Sequence, residues 1–281
     1  MDKTSYFQGR KIVIATKHQK ESVIGPALQN AFGLEYIVTD KVDTDLLGTF
    51  SGEIERKVSP FEAARQKCML GLDACQVDLA IGSEGSFGPH PSYFFVPAGE
   101  EIMVLMDTKN DLEIRVHLVT PKTNYSSLTL RPETHLEEFL RHAQFPSHGL
   151  ILRKSVDDYS WVEKGIHDEQ KLKNQIHWYL QTHGTCYLET DMRAMHNPTR
   201  MQAIAELTEI LISKMNQLCP HCHTPGFDIT EVKRGLLCSN CEMPTQSIKS
   251  HVYTCKKCKY TEWRPNPKEK EDPMHCDFCN P

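Results

Sequence analysis

Eight of the eleven cysteines stand in four Cys-x-x-Cys pairs, Cys219/Cys222, Cys238/Cys241, Cys255/Cys258 and Cys276/Cys279. A Cys-x-x-Cys turn bends both sulfurs toward one point, and two such turns complete the tetrahedral set of four thiolates that closed structural zinc sites use. The first two pairs are separated by fifteen residues and the last two by seventeen, spacings that suit zinc ribbons. The expectation is therefore two structural zinc ions, with no open coordination position for catalysis. Sequential ribbons, first pair with second and third with fourth, are the preferred pairing; a crossed arrangement is the alternative. His221, His223, His251 and His275 lie nearby and read as surface or supporting groups. Cys68, Cys75 and Cys186, widely separated, read as free thiols.

A second group of residues could handle phosphate. Glu189 to Arg200 joins a strand end to a helix start, with Asn197 as N-cap and Pro198 in the first helical position. A helix N-terminus with free N–H groups, flanked by Arg193 and Arg200, is an anion site, with Asn197 and Thr199 contributing. Internal salt bridges from the arginines to Asp191 or Glu189 are the other reading. Lys17, His18 and Lys20 follow the first strand and can meet phosphate oxygens. Glu84, beyond a strand end and followed by Gly85, is a candidate divalent-ion ligand or base, and Asp191 shares that candidacy. The chemistry would be magnesium-assisted hydrolysis or transfer on a nucleotide or other phosphorylated small molecule.

The elements that would position these groups alternate. Lys11 to Thr16 reads as a strand, Gln19 to Phe32 as a helix and Glu35 to Val38 as a strand, with Asp40 to Lys57 as a loop. Ser59, Pro60 and Glu62 open a helix as a capping box. Val77 to Gly82 is a strand running into a glycine-rich loop, Ser83 to Pro89, where something approaches the backbone. Strands are expected at Ser92 to Val96, Ile102 to Asp107, Leu112 to Val119, Gly149 to Lys154 and Thr185 to Glu189. Helices are expected at Pro132 to His142, Asp168 to Thr182 and Pro198 to Met215. The fold class is α/β, a mixed central sheet flanked by helices, followed by a small double zinc-ribbon module; the boundaries are 1–215 and 216–281.

Apolar and charged fractions of 39% and 25% are those of a folded globular chain. No apolar stretch reaches the roughly 18 residues of a spanning helix, and the polar opening lacks a signal segment, so a cytoplasmic protein without a membrane role is expected. The tail from Asn216 carries nine basic and eight acidic residues, and eight thiolates with two zinc ions make it acidic. Composition therefore offers no broad basic surface for sequence-independent nucleic-acid binding. A local patch at Lys256, Lys257 and Lys259 keeps open an adaptor role, with the ribbons docking a protein or a structured nucleic acid.

The runs Thr190 to Met201, Cys219 to Phe227 and Cys276 to Pro281 together resemble an uncharacterised bacterial domain-of-unknown-function family, over nearly the whole chain. That resemblance implies an α/β body ending in zinc knuckles. In the first hundred residues, the strand ending Ala15-Thr16 with its lysines, Phe61 to Arg65 and Asp78 to Gly85 are similar to the inosine/xanthosine triphosphate pyrophosphatases. In that family an asparagine and a lysine follow the first strand and acidic residues near later strands hold magnesium. Here His18 stands in the place of the asparagine and the lysine is displaced by one, so the similarity guides fold more than activity.

Overall fold

The computed structural model describes residues 6–16, 18–39 and 58–281. Lys17 and the expected loop Asp40 to Lys57 lie outside the described residues. The chain divides into two compact units, a body over Phe7–Leu211 and a module over Ile212–Pro281 that also takes in Tyr6.

In the body, β1 (Lys11–Ala15), α1 (Glu21–Phe32), β2 (Glu35–Val38), α2 (Pro60–Cys75), β3 (Leu79–Pro89), β4 (Pro97–Asp107) and β5 (Leu112–Thr120) follow one another. They form a five-stranded sheet in the order β2-β1-β3-β4-β5. β1 runs parallel to β2 and β3, whereas β3, β4 and β5 are antiparallel neighbours, so the sheet is mixed as expected. The continuous apolar run Ile12–Val13–Ile14–Ala15 is buried throughout, as the sequence of a strand covered on both faces requires. Ser59 caps α2 by accepting the Glu62 N–H, and Pro60 takes the first position, where no intrahelical donor is needed.

A second sheet was not separable in the sequence. β6 (Ser127–Leu130), β7 (Leu150–Ser155), β8 (Asp158–Ile166) and β9 (Cys186–Thr190) form an antiparallel sheet ordered β6-β9-β7-β8. Its core packs Leu150, Leu152 and Leu188 with Leu172, Ile176 and Tyr179 of α4 (Glu169–His183) and Phe139 of α3 (Glu137–His142). α5 (Pro198–Met215) begins and ends where its sequence signals put it.

Three expected elements change. β3 does not stop at Gly82 but continues through the glycine-rich stretch to Pro89, in register with β4 from Ser83↔Met103 to Pro89↔Pro97. Its glycines answer to close approach and not to a turn: a Cβ on Gly82 would collide with the Ala64 carbonyl, and one on Gly85 would lie 2.5 Å from Arg200 Nη2. Ser92 to Val96 is not a strand but the tip of the β3–β4 hairpin, closed by Tyr93 N–H to His90 O and His90 N–H to Val96 O. Its aromatic residues mimicked a strand, yet Phe94 and Phe95 are exposed. The helix expected from Pro132 is the six-residue α3 alone.

The module is built on β10 (Asp228–Arg234), β11 (Ile248–Thr254) and β12 (Thr261–Pro265), an antiparallel sheet in that order. No described helix of the chain is long and apolar enough to cross a membrane.

Candidate functional site

The module's strand register decides how the cysteines meet. Asp228 pairs with Thr254 at one end of the β10–β11 ladder, so the segment before β10, with Cys219 and Cys222, meets the segment after β11, with Cys255 and Cys258. At the other end Arg234 pairs with Ile248, and Cys238 and Cys241 lie in the connection between these strands. β12 carries the chain back to that end, where Ser239 N–H bonds Glu271 O and Glu271 N–H bonds Leu237 O, placing Cys276 and Cys279 beside the second pair. The tetrads are therefore Cys219/Cys222/Cys255/Cys258 and Cys238/Cys241/Cys276/Cys279. This corrects the sequential pairing: an antiparallel three-stranded sheet joins first pair to third and second to fourth.

Within each tetrad the four sulfurs lie within 4.8 Å of one another, with contacts of 3.7 Å (Cys219–Cys258), 3.6 Å (Cys222–Cys255), 3.9 Å (Cys238–Cys279) and 3.6 Å (Cys241–Cys276). These separations are far too long for disulfides. Each knuckle is closed by a backbone bond from the residue after its second cysteine to the carbonyl of its first, as in His223 N–H to Cys219 O at 2.8 Å and Asn280 N–H to Cys276 O at 2.9 Å. The Cys258 and Asn240 N–H groups point at Cys255 and Cys238 sulfurs, the donors a thiolate needs. His221 stacks on Tyr260 and is not part of either tetrad.

In the body, β1 ends level with Gly82 of β3, and β3 continues past it. Among the described residues no strand pairs with that edge of β3 past this level, and the notch so defined collects charge from four directions. Lys20, at the start of α1, reaches Ser83 Oγ with its Nζ at 3.0 Å. Lys67 of α2 pairs with Glu84 at 2.6 Å. Arg200 of α5 pairs with Glu101 of β4 at 2.6 Å, both buried, and its guanidinium faces the Phe87 ring. Arg193 pairs with Asp191 at 2.6 Å. The glycine stretch around Glu84 and the turn leading into α5 thus approach each other through Arg200 and Gly85.

Three of these four cations have a carboxylate; Lys20 has none among the described residues. It is 3% exposed, and burial, followed by the field of Arg200, pulls its ammonium down to about 7. His18 next to it is pushed down to about 3 by burial and then by Lys20, Arg200, Arg193 and Lys67, so it is neutral at ordinary pH.

The helix start at Asn197 differs from expectation. Its N–H groups are not free: Asn197 Oδ1 accepts from Arg200 N–H at 2.9 Å, and His148 Nε2 accepts from Thr199 N–H at 3.2 Å and lies 2.9 Å from Thr199 Oγ1. Asn197 is fully buried and also donates to Asn124 Oδ1. Asp191, also fully buried, accepts from Arg193 Nε and from the Gly165 N–H, which holds Arg193 in place. His148 could not be assigned from sequence, because it meets Thr199 from 51 residues away. Burial pushes the Cys68 thiol up, and that of Cys186 to about 11, which makes both poor nucleophiles.

No curated protein matches the chain. Among solved structures, 48% of the chain is similar to 76% of protein VC0702 from Vibrio cholerae, at 14% sequence identity and a TM-score of 0.27, a likeness too slight to carry an argument. The pyrophosphatase resemblance is not confirmed by these matches. The family described as "Domain of unknown function (DUF6671)" matches residues 67–281, which include β3, α5 and both cysteine tetrads, and the chain belongs to that family.

Proposed function

We propose that the chain is a two-zinc protein whose body binds a phosphorylated small molecule in the notch beside β3. The observation that carries the binding reading is Lys20, a buried cation that makes no ion pair among the described residues, whereas Lys67, Arg193 and Arg200 each have a carboxylate. A buried lysine that, among the described residues, makes no ion pair and feels Glu101 and Glu84 only at a distance is costly, and an anion from outside would supply a direct partner. Glu84 is already paired with Lys67, so the charge balance of the notch favours an anion over a free divalent cation. An apolar hollow of about 370 Å³ is lined in part by Gln19, Ala194 and Met201, the chain neighbours of Lys20, Arg193 and Arg200, and would give room for the rest of such a ligand.

The test is calorimetric titration with pyrophosphate and with nucleotides, at pH 6 and pH 8.5, on wild-type protein and Lys20→Met. Binding should weaken at least tenfold in the variant. In the wild type it should also weaken as pH rises, because the free Lys20 loses its proton near 7. Equal affinity in both proteins would reject the notch as the site.

Zinc suits the tetrads because thiolates about 2.3 Å from a tetrahedral centre stand about 3.8 Å apart, and the observed sulfur contacts run from 3.6 to 3.9 Å. Four thiolates close the coordination sphere, so the metal would hold the module together and would not act on a substrate.

An adaptor role is favoured by one observation on the module: Trp263 is 60% exposed on its sheet, with Lys233 above the ring. Trp263→Ser in the full chain should then reduce capture of a protein or nucleic-acid partner while leaving pyrophosphate binding intact.

A further inference from the structure

Ser83 has a geometry that anion binding alone does not use. Alternation along β3 sends Glu84 to the α2 side with Lys67, and Ser83 to the opposite face with Gly85, whose neighbours are Glu101 and Arg200. Ser83 lies one residue past the level at which β1 ends. Its Oγ is 3.0 Å from Lys20 Nζ, and both side chains are buried, at 4% and 3% exposure. Lys67 Nζ lies 3.5 Å from Ser83 O, and Arg200 is close enough to depress Lys20. An aliphatic hydroxyl becomes a nucleophile when an adjacent base takes its proton and nearby positive charge steadies the oxyanion. A buried lysine beside a serine supplies the first, and Arg200, which lies against Gly85 on the face that carries Ser83, supplies the second.

We propose that Ser83 is a catalytic nucleophile with Lys20 as its base, and that it accepts a phosphoryl group from the ligand held in the notch. The proposal rests on the anion-binding reading, because the same cations would hold the phosphoryl oxygens. Ser83 Oγ forms a bond to phosphorus as the bond from phosphorus to the leaving oxygen breaks. The Oγ proton passes to the neutral Lys20 amine, and the leaving oxygen departs with the bonding pair and takes that proton. Water then attacks the phosphoserine; its proton travels through Lys20 to Ser83 Oγ, and inorganic phosphate is released.

The neutral amine this step needs is populated at ordinary pH. The charged groups facing Lys20 are Arg200 from α5, Glu101 from β4, Lys67 from α2 and Glu84 from β3, with His18 beside it uncharged. A bound phosphate adds negative charge and favours the ammonium, so phosphorylation should rise with pH along a limb above 7. Affinity should fall over the same range. Opposite pH trends for binding and chemistry distinguish a base from a lysine that only attracts the anion.

The experiment uses the full chain incubated with acetyl phosphate, quenched in acid and mapped by mass spectrometry. Phosphoserine survives acid, whereas phosphohistidine and phospholysine do not. One acid-stable phosphoryl group on the peptide carrying Ser83 is expected, absent in Ser83→Ala and reduced at least tenfold in Lys20→Met. Pyrophosphate titration is run in parallel on the wild type and Ser83→Ala. Pyrophosphate binding without an acid-stable label on Ser83 in the wild-type protein would overturn the nucleophile and leave the anion site standing. Absence of pyrophosphate binding would overturn both.

Discussion

A lysine that is 3% exposed, with a serine hydroxyl as its hydrogen-bond partner, makes the stability of the body depend on pH in a defined direction. Its proton is lost near 7 in the folded chain and near 10.5 in the unfolded one. Between these values the unfolded state binds more protons, so stability rises with pH; below about 7 the burial penalty is present in full. Lys20→Met should therefore stabilise the protein at pH 6 by a few kcal/mol and flatten the rise, read by denaturant unfolding at pH 6, 8 and 10. A parent protein already as stable at pH 6 as at pH 10 would contradict the depressed lysine. Gly85 tests the neighbouring pair. A Cβ there would stand 2.5 Å from Arg200 Nη2 and 2.6 Å from Glu101 Oε1, so Gly85→Ala must displace a buried ion pair. The loss should be about 3 to 5 kcal/mol, while Gly88→Ala, with open space around its Cβ, should be nearly neutral. The sequence showed that something crowds these glycines but not what, since Arg200 lies more than a hundred residues downstream of Gly85. The His148 ring that takes the Thr199 N–H was hidden for the same reason.

Secondary-structure elements were legible where their chemistry is local. Ser59 with Pro60 starts α2, Asn197 with Pro198 starts α5, and Asp168 accepts the Lys171 N–H to start α4. Asp168→Ala should destabilise the protein by about 1 kcal/mol, as a shift of the denaturation midpoint, and Asp168→Asn should restore most of it. Strands whose identity depends on a partner were harder to read. β8 carries Tyr159 and Trp161 exposed at the sheet edge, so it lacks the buried alternation that marks a half-buried strand. β3 runs through glycines that disfavour strands, and what keeps it extended is the paired backbone of β4 and the space that Arg200 and Ala64 occupy. The hairpin tip erred the other way: Tyr93, Phe94 and Phe95 have strand propensity and no partner strand.

At the scale of the molecule, the cysteine spacing announced two tetrads but could not say which pairs share one, because that depends on strand order. The antiparallel β10–β11–β12 sheet puts the two tetrads at opposite ends of strands of five to seven residues, so a change in one leaves the other's ligands in place. Paired substitutions separate the crossed arrangement from the sequential one. Cys219→Ser with Cys255→Ser removes two thiolates from one crossed tetrad, so one ion should remain bound as tightly as in the parent. Cys219→Ser with Cys238→Ser removes one thiolate from each, so neither ion should hold against a chelator at the parent's level. Sequential pairing reverses the two outcomes. Zinc content after challenge with a competing chelator reads the difference directly. The parent should carry two ions per chain and release both on acidification, because each thiolate must give up its metal to take a proton. Retention of one tightly held ion by the Cys219/Cys238 variant, and of none by the Cys219/Cys255 variant, would mean that the strand register places the knuckles wrongly.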